Sequence, residues 1–390
     1  MAISQEAPTL PLGDPASLGL NPERIERLCR LIEGHIAEGH YPGAQIAFAR
    51  HGRLAAFRTF GRSRLTPTPI AATDETLWLM YSQTKVITTA AVWLLVERGA
   101  LSFDDRIADH VPEFAANSKG QITLFQLLTH QAGFPSARVT SEAWADHEQM
   151  RRQVCDFELE WWPGSKVQYH GASAHWTAAV VIEALTGRDF RDFIRREVLD
   201  PLNLRDLHVG VPPELHERCA DMHLRRDGEL VLLTDQLASE GSPDSPNTAE
   251  WRSAGAPNGG GYGTAAALAA FYQMMLAGGT LNGVRLFSPR LIQYVTRNHT
   301  GDRVDENMGM PMHRGLGPHL RGTTPGIRGL GPIGSPATFG HGGVGSSYSW
   351  ADPESGLSFS YLTNCRSDEP FHSRRLDRVS NMAHAALVEL

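Results

Sequence analysis

Apolar positions first take up a regular spacing at Ile25, Leu28, Leu31, Ile32 and Ile36, three and four residues apart, the period of one helix face. Asn21 supplies a capping side chain and Pro22 suits the first turn, so a helix is predicted from Asn21 to Gly39. The period then changes. AQIAFAR (Ala44 to Arg50) and LAAFRTF (Leu54 to Phe60) are strand-like runs joined by the turn-forming His51-Gly52-Arg53, a hairpin signal. From Ser82 to Glu97 the run VITTAAVWLLVE is apolar on all sides, which predicts a buried central helix.

Helical spacing recurs at Leu124 to His130, Ala172 to Leu185, Phe190 to Val198 and Ala265 to Ala277. Strand character returns near Leu316 and in ATFGHGG (Ala337 to Gly343), SSYSWAD (Ser346 to Asp352) and LSFSYLTN (Leu357 to Asn364), followed by a closing helix around Arg375 to Val388. Strands at both ends with helices between them predict one mainly antiparallel sheet flanked by helices, with an inserted helical lobe, an α/β fold of α+β type. The expected division is a discontinuous sheet domain, residues 1–75 and 284–390, and a mainly helical lobe, residues 76–283, with a cleft between them. Ala137 to Arg152, Glu240 to Asn258 and the Gly- and Pro-rich Gly315 to Pro336 read as loops that set specificity.

Composition narrows the function classes. A net charge of -7 without a lysine-rich tract argues against nucleic acid as a partner. No apolar run reaches the roughly 18 residues that cross a bilayer, so no membrane partner is expected. The start, MAISQEAPTLPLGDP, lacks a basic segment and an apolar segment of a secretory signal, and a cytoplasmic location is expected. Cys29, Cys155, Cys219 and Cys365 form no CxxC pair and read as buried free thiols. Oligomeric state leaves no mark in the sequence.

Only three of the 36 basic residues are lysine, and one of them, Lys85, stands three positions after Ser82 in LMYSQTK. On a helix that spacing puts the two side chains on one face. A serine hydroxyl is a weak nucleophile until a base takes its proton, and a buried lysine can become that base because desolvation disfavours its ammonium form. Arginine stays protonated and cannot serve. Tyr169 lies between an extended run and a helix, where a phenol can relay a proton. FGHGGVGSSYSW (Phe339 to Trp350) is a glycine-rich strand whose backbone can approach a substrate at Gly342 and Gly343.

S-x-x-K, a later tyrosine motif and an H-G-G strand, in that order, resemble the serine β-lactamase and penicillin-binding protein superfamily, most closely class C β-lactamases and family VIII carboxylesterases. The resemblance runs from about Leu20 to Leu387 and includes TLFQLLTHQAGFPS (Thr123 to Ser136), similar to the family's LLTHTSGL segment, and FRDFIRREVLDPLNL (Phe190 to Leu204). It implies Ser82 as the acylated nucleophile, Lys85 as its proton acceptor, Tyr169 as the relay to the leaving group, and the backbone N–H groups of Ser82 and Val344 as the oxyanion hole. His341, Gly342, Gly343, Trp161 and Phe134 are the expected substrate contacts. No metal and no cofactor is implied. Two departures stand out: Gly171 replaces the asparagine of the Y-x-N motif, and His341 replaces the lysine of the third motif. Both argue against efficient β-lactam hydrolysis.

Gly171-Ala172-Ser173-Ala174-His175 approaches the G-x-S-x-G nucleophile elbow, but the strand-helix alternation of an α/β-hydrolase is absent, and Ser173 reads as the cap of the next helix. There is no H-E-x-x-H among the seventeen histidines. A non-catalytic binding homologue would be expected to lose Ser82, Lys85 or Tyr169, and all three are present. The reading is a serine hydrolase acting on a small-molecule ester or amide, a carboxylic ester first, with acyl transfer, β-lactam hydrolysis or D-amino peptidase activity as alternatives in the same superfamily.

Overall fold

In the computed structural model, which describes residues 9–234 and 246–390, Asn21 Oδ1 accepts a hydrogen bond from Arg24 N at 3.1 Å and opens helix α1 (Pro22–Ala37). The first eight residues and part of the predicted Glu240 to Asn258 loop lie outside the described residues. The hairpin follows as β1 (Gly43–Arg50) and β2 (Arg53–Arg64), with β3 (Ile70–Ala71) beyond it. Helices α2 (Thr84–Glu97), α3 (Ser173–Thr186) and α4 (Ala265–Leu276) come next, then strands β4 (His319–Leu320), β5 (Phe339–Gly342), β6 (Tyr348–Asp352) and β7 (Leu357–Thr363), and the closing helix α5 (Phe371–His384).

Seven strands from the two ends of the chain form one antiparallel sheet in the order β4-β5-β6-β7-β1-β2-β3. Helices cover both faces of the sheet, the expected α+β arrangement. Because side chains alternate along a strand, β1 sends Ile46 and Phe48 to the face covered by α1 and α5, and Ala47 and Ala49 to the face covered by α4. Small residues on that second face let the alanine-rich α4 approach closely. Ser358 Oγ donates to Ala269 O at 2.9 Å, and Gln273 Nε2 donates to Ala49 O at 2.8 Å. Helix α2 is buried from Thr84 to Leu95, as its all-round apolar sequence requires, and packs on α3.

Several expectations need correction. Ser173 does not cap α3: it lies inside the first turn, fully buried, and its hydroxyl donates to Phe134 O at 2.8 Å. The strand expected near Leu316 is at His319–Leu320, and the closing helix begins at Phe371. Ala137 to Arg152 is not all loop, since a helix starts at His147, capped by Asp146. The four cysteines are buried and free.

Lys119, the second lysine, is wholly buried and donates to the carbonyls of Ala116, Cys155 and Phe157 at 2.8, 2.8 and 2.6 Å. Three acceptor-only oxygens call for three N–H donors, so its role is that of an ammonium tie between chain segments. Lys119→Met is therefore expected to lower stability by about 3 kcal/mol, read as a lower midpoint in urea unfolding with an unchanged slope. A midpoint equal to that of the native chain would refute this assignment.

Candidate active site

Ser82 lies on a tight turn, Tyr81–Gln83, that leads into α2. The preceding residue, Tyr81, has φ of 47°, a left-handed conformation uncommon outside glycine and often found where a reactive side chain is presented. The turn is pinned on several sides. Met80 N donates to Gly261 O at 2.9 Å, Gly261 N to Thr84 Oγ1 at 2.9 Å, and Thr84 Oγ1 to Tyr81 O at 2.6 Å.

One helical turn on, the Lys85 side chain is completely buried. Its Nζ is 3.1 Å from Ser82 Oγ, 2.7 Å from Gly171 O and 2.7 Å from Asn258 O. Carbonyl oxygens only accept, so two N–H bonds go to them, and the remaining direction faces the serine. A neutral amine has two hydrogens and one lone pair, which is the set these three partners can satisfy if Ser82 donates. Burial, first, and the nearby Arg314 cation, second, hold the Lys85 pKa well below that of an ordinary lysine. An ammonium donating to all three fits the same contacts, and a lysine whose pKa is lowered can release that proton and accept the one from Ser82. The amide missing from position 171 is made up by the Gly171 and Asn258 main-chain carbonyls, and Asn258 Nδ2 also donates to Gly171 O at 3.3 Å.

Tyr169 lines the same cavity as Ser82, with Lys85 Nζ 5.2 Å from its ring centroid. Burial pushes its phenol up to about 12, while the Ser82 hydroxyl and Arg314 pull the other way. It is therefore a protonated phenol at neutral pH. His341, on β5, donates from Nδ1 to Gly342 O at 2.9 Å; burial, then Lys85, pushes it down to about 3. A neutral imidazole stands where the resemblance would have had a permanent cation.

Gly342 and Gly343 are required by contact. A Cβ on Gly343 would lie 2.7 Å from Met80 O, and one on Gly342 2.7 Å from the Tyr348 ring. The end of β5 therefore reaches the Ser82 turn. Val344 follows it, about half exposed, and among the described residues its N–H has no acceptor. Ser82, Tyr169, His341 and Val344 line one cavity of about 430 Å³, whose apolar wall includes Met308, Met310, Met312, Ile327 and Leu376.

Phe134 and Trp161 do not line this cavity. Phe134 is fully buried against Phe157 and His170, which leaves no face for a ligand, and Trp161 packs edge-on against His170. Other groups at the site belong to none of the motifs: Asn258, Asp305, Arg314, His319 and the three methionines. Only the methionines leave a trace in the sequence, since M-G-M-P-M repeats with period two, a strand-like alternation. For metal ions, the donor atoms of His147, Glu183 and Asp189 lie within 4.8 Å of one another. The Arg191 guanidinium already bonds His147 at 3.2 Å and Asp189 at 2.9 Å, so that cluster is matched to an internal cation.

Comparisons with known proteins place the chain in a family. The model of the family described as Beta-lactamase matches residues 28–382. An esterase/beta-lactamase, LipL, of Mycobacterium tuberculosis (strain ATCC 25618 / H37Rv) is 30% identical over 308 residues, covering 73% of this chain and 68% of that protein. A penicillin-binding protein homologue from Caulobacter crescentus superposes with a TM-score of 0.80 at 28% identity, covering 95% of this chain and 99% of its own. A family VIII carboxylesterase does so with a TM-score of 0.78 at 26% identity and the same coverage. The chain belongs to the beta-lactamase family, within the serine hydrolases.

Proposed function

We propose that the protein hydrolyses uncharged carboxylic esters through an acyl-Ser82 intermediate. The observation that carries this reading is the Lys85 amine, placed 3.1 Å from Ser82 Oγ by two main-chain carbonyls at 2.7 Å. Lys85 takes the Ser82 proton as Oγ bonds the ester carbon. The N–H groups of Ser82 and Val344 receive the oxyanion, and donors fixed beforehand do so without reorganisation. As the carbon–alkoxide bond breaks, Tyr169 gives its proton to the leaving oxygen and regains one from the Lys85 ammonium beside it. Water then attacks the acyl-enzyme, its proton returning by the same route, and the acid leaves with Ser82 restored. The methionine-lined part of the cavity wall and the neutral His341 support an uncharged ester, and Arg328, the guanidinium on the same cavity, is already paired with Asp377. The relative named esterase/beta-lactamase and the family VIII carboxylesterase fold are consistent with this choice.

In parallel time courses with p-nitrophenyl butyrate and nitrocefin, ester turnover should dominate and should fall roughly 10³-fold or more in Ser82→Ala. Intact-protein mass after treatment with a fluorophosphonate should gain one adduct in the native chain and none in the variant. Retained activity in Ser82→Ala would move the nucleophile elsewhere, and nitrocefin turnover above the ester rate would overturn the preference for esters.

The proton chemistry gives a second expectation. The base form of Lys85 exists only above its lowered pKa, so kcat/KM should fall as pH drops through that value, well below 10.5. Tyr169 remains protonated up to about 12, so no loss from it is expected near neutrality. Lys85→Arg keeps a cation that does not release its proton, and turnover should drop roughly 10²–10⁴-fold with no recovery between pH 6 and about 10. Native-like rates in Lys85→Arg would exclude Lys85 as the base.

A further inference from the structure

Beneath Tyr169 lies an ion pair almost without exposure, Arg314 at 1% and Asp305 at 0%. Asp305 Oδ2 accepts from Arg314 Nε at 3.1 Å and from a second guanidinium nitrogen, while Oδ1 accepts from Tyr169 N at 3.4 Å and Asn307 N at 3.1 Å. The guanidinium carbon is 4.9 Å from the Tyr169 ring centroid, and Lys85 Nζ is 5.2 Å from it. Arg314 also donates to His319 Nε2 at 2.7 Å. Taking such a pair out of water is costly, and an apolar pair of similar volume commonly stabilises a core as well or better. Stability alone gives no reason for a cation in this place.

We propose that Arg314 is a positioning residue for the reaction, a fixed cation held by Asp305 that keeps Lys85 in its amine form and favours negative charge on the Tyr169 oxygen as its proton moves. The proposal deepens the acyl-Ser82 reading and rests on it. Two cations near one aromatic ring repel, so the one whose proton can leave gives it up; guanidinium does not. The same cation is attracted to the face of a phenol, and more strongly to a phenolate.

Among the described residues, the other charged groups lining the cavity are engaged at its rim: Arg328 is 57% exposed and paired with Asp377, Glu369 bonds Ser373, and His372 is held neutral. His130, His170, His175, His319 and His341 surround Tyr169 and Lys85, and burial lowers the pKa of each, so they are neutral near pH 7. Tyr348 is likewise uncharged, its phenol pushed up by burial. Asp305 is the one anion that acts on Tyr169, and Arg314 binds it through two nitrogens. Among the described residues, Arg314 is the charged group that acts on Lys85.

The test is the rate of Ser82 modification by a fluorophosphonate as a function of pH, because it reads serine activation whatever the natural substrate. In Asp305→Leu/Arg314→Met, which removes both charges together, the acid limb should move up by about one pH unit, with labelling near neutrality roughly tenfold slower. Arg314→Lys, which keeps the cation, should return the limb to its native position. If the double variant does not fold, judged by thermal unfolding, Asp305→Asn/Arg314→Gln keeps hydrogen-bonding groups but neither charge and should show the same upward shift. A rate lowered equally at every pH, with the limb unmoved, would overturn the proposal and leave Arg314 a packing residue. Absence of labelling in the native chain would instead overturn the acyl-Ser82 reading, and this inference with it.

Discussion

Everything at this site depends on a fully buried lysine nitrogen with three fixed partners. Lys85 Nζ meets Gly171 O, Asn258 O and Ser82 Oγ, and its pKa is driven down by burial and by Arg314. Lys119 is the internal contrast: equally buried, it meets three carbonyls and no hydroxyl. Replacing one carbonyl by a group that can donate changes a structural ammonium into a group able to accept a proton. Chemistry here turns on the identity of one hydrogen-bond partner.

The fold supplies those partners from distant parts of the chain. Ser82 and Lys85 come from the start of α2, Gly171 from the residues before α3, Asn258 from the loop before α4, and Gly343 and Val344 from the end of β5. What brings them together is close backbone approach. Gly343 allows the sheet to reach Met80 O, and Gly261 ties the Ser82 turn through Thr84. A larger side chain at Gly343 would push the candidate oxyanion donor at Val344 away from the serine it must serve.

Residues joined by short-range periodicity were legible from sequence: α1, the β1–β2 hairpin, α2 and the three late strands lie within a few residues of their expected places. So was the Ser82–Lys85 pair, because helical geometry alone sets its spacing. Contacts made across the fold were not. Asn258 takes part through a main-chain carbonyl, which any residue type carries, and Arg314 and Asp305 are ordinary charged residues until tertiary structure buries them. Phe134 and Trp161 illustrate the reverse error. Lying beside motif segments, they read as substrate contacts, yet their rings pack on His170. Ser173 failed as a cap for a similar reason, since Phe134 O offers its hydroxyl a buried acceptor that periodicity does not reveal.

The central claim is that Lys85 is an amine at working pH. With three lysines in the chain, a sample labelled with carbon-13 at lysine Cε should give three resonances, assigned by single lysine-to-arginine variants. Following the Lys85 signal from pH 5 to 11 tests the claim directly. The account predicts a titration midpoint well below 10.5. A Lys85 signal that stays ammonium-like through neutral pH and titrates near the ordinary lysine value would contradict it.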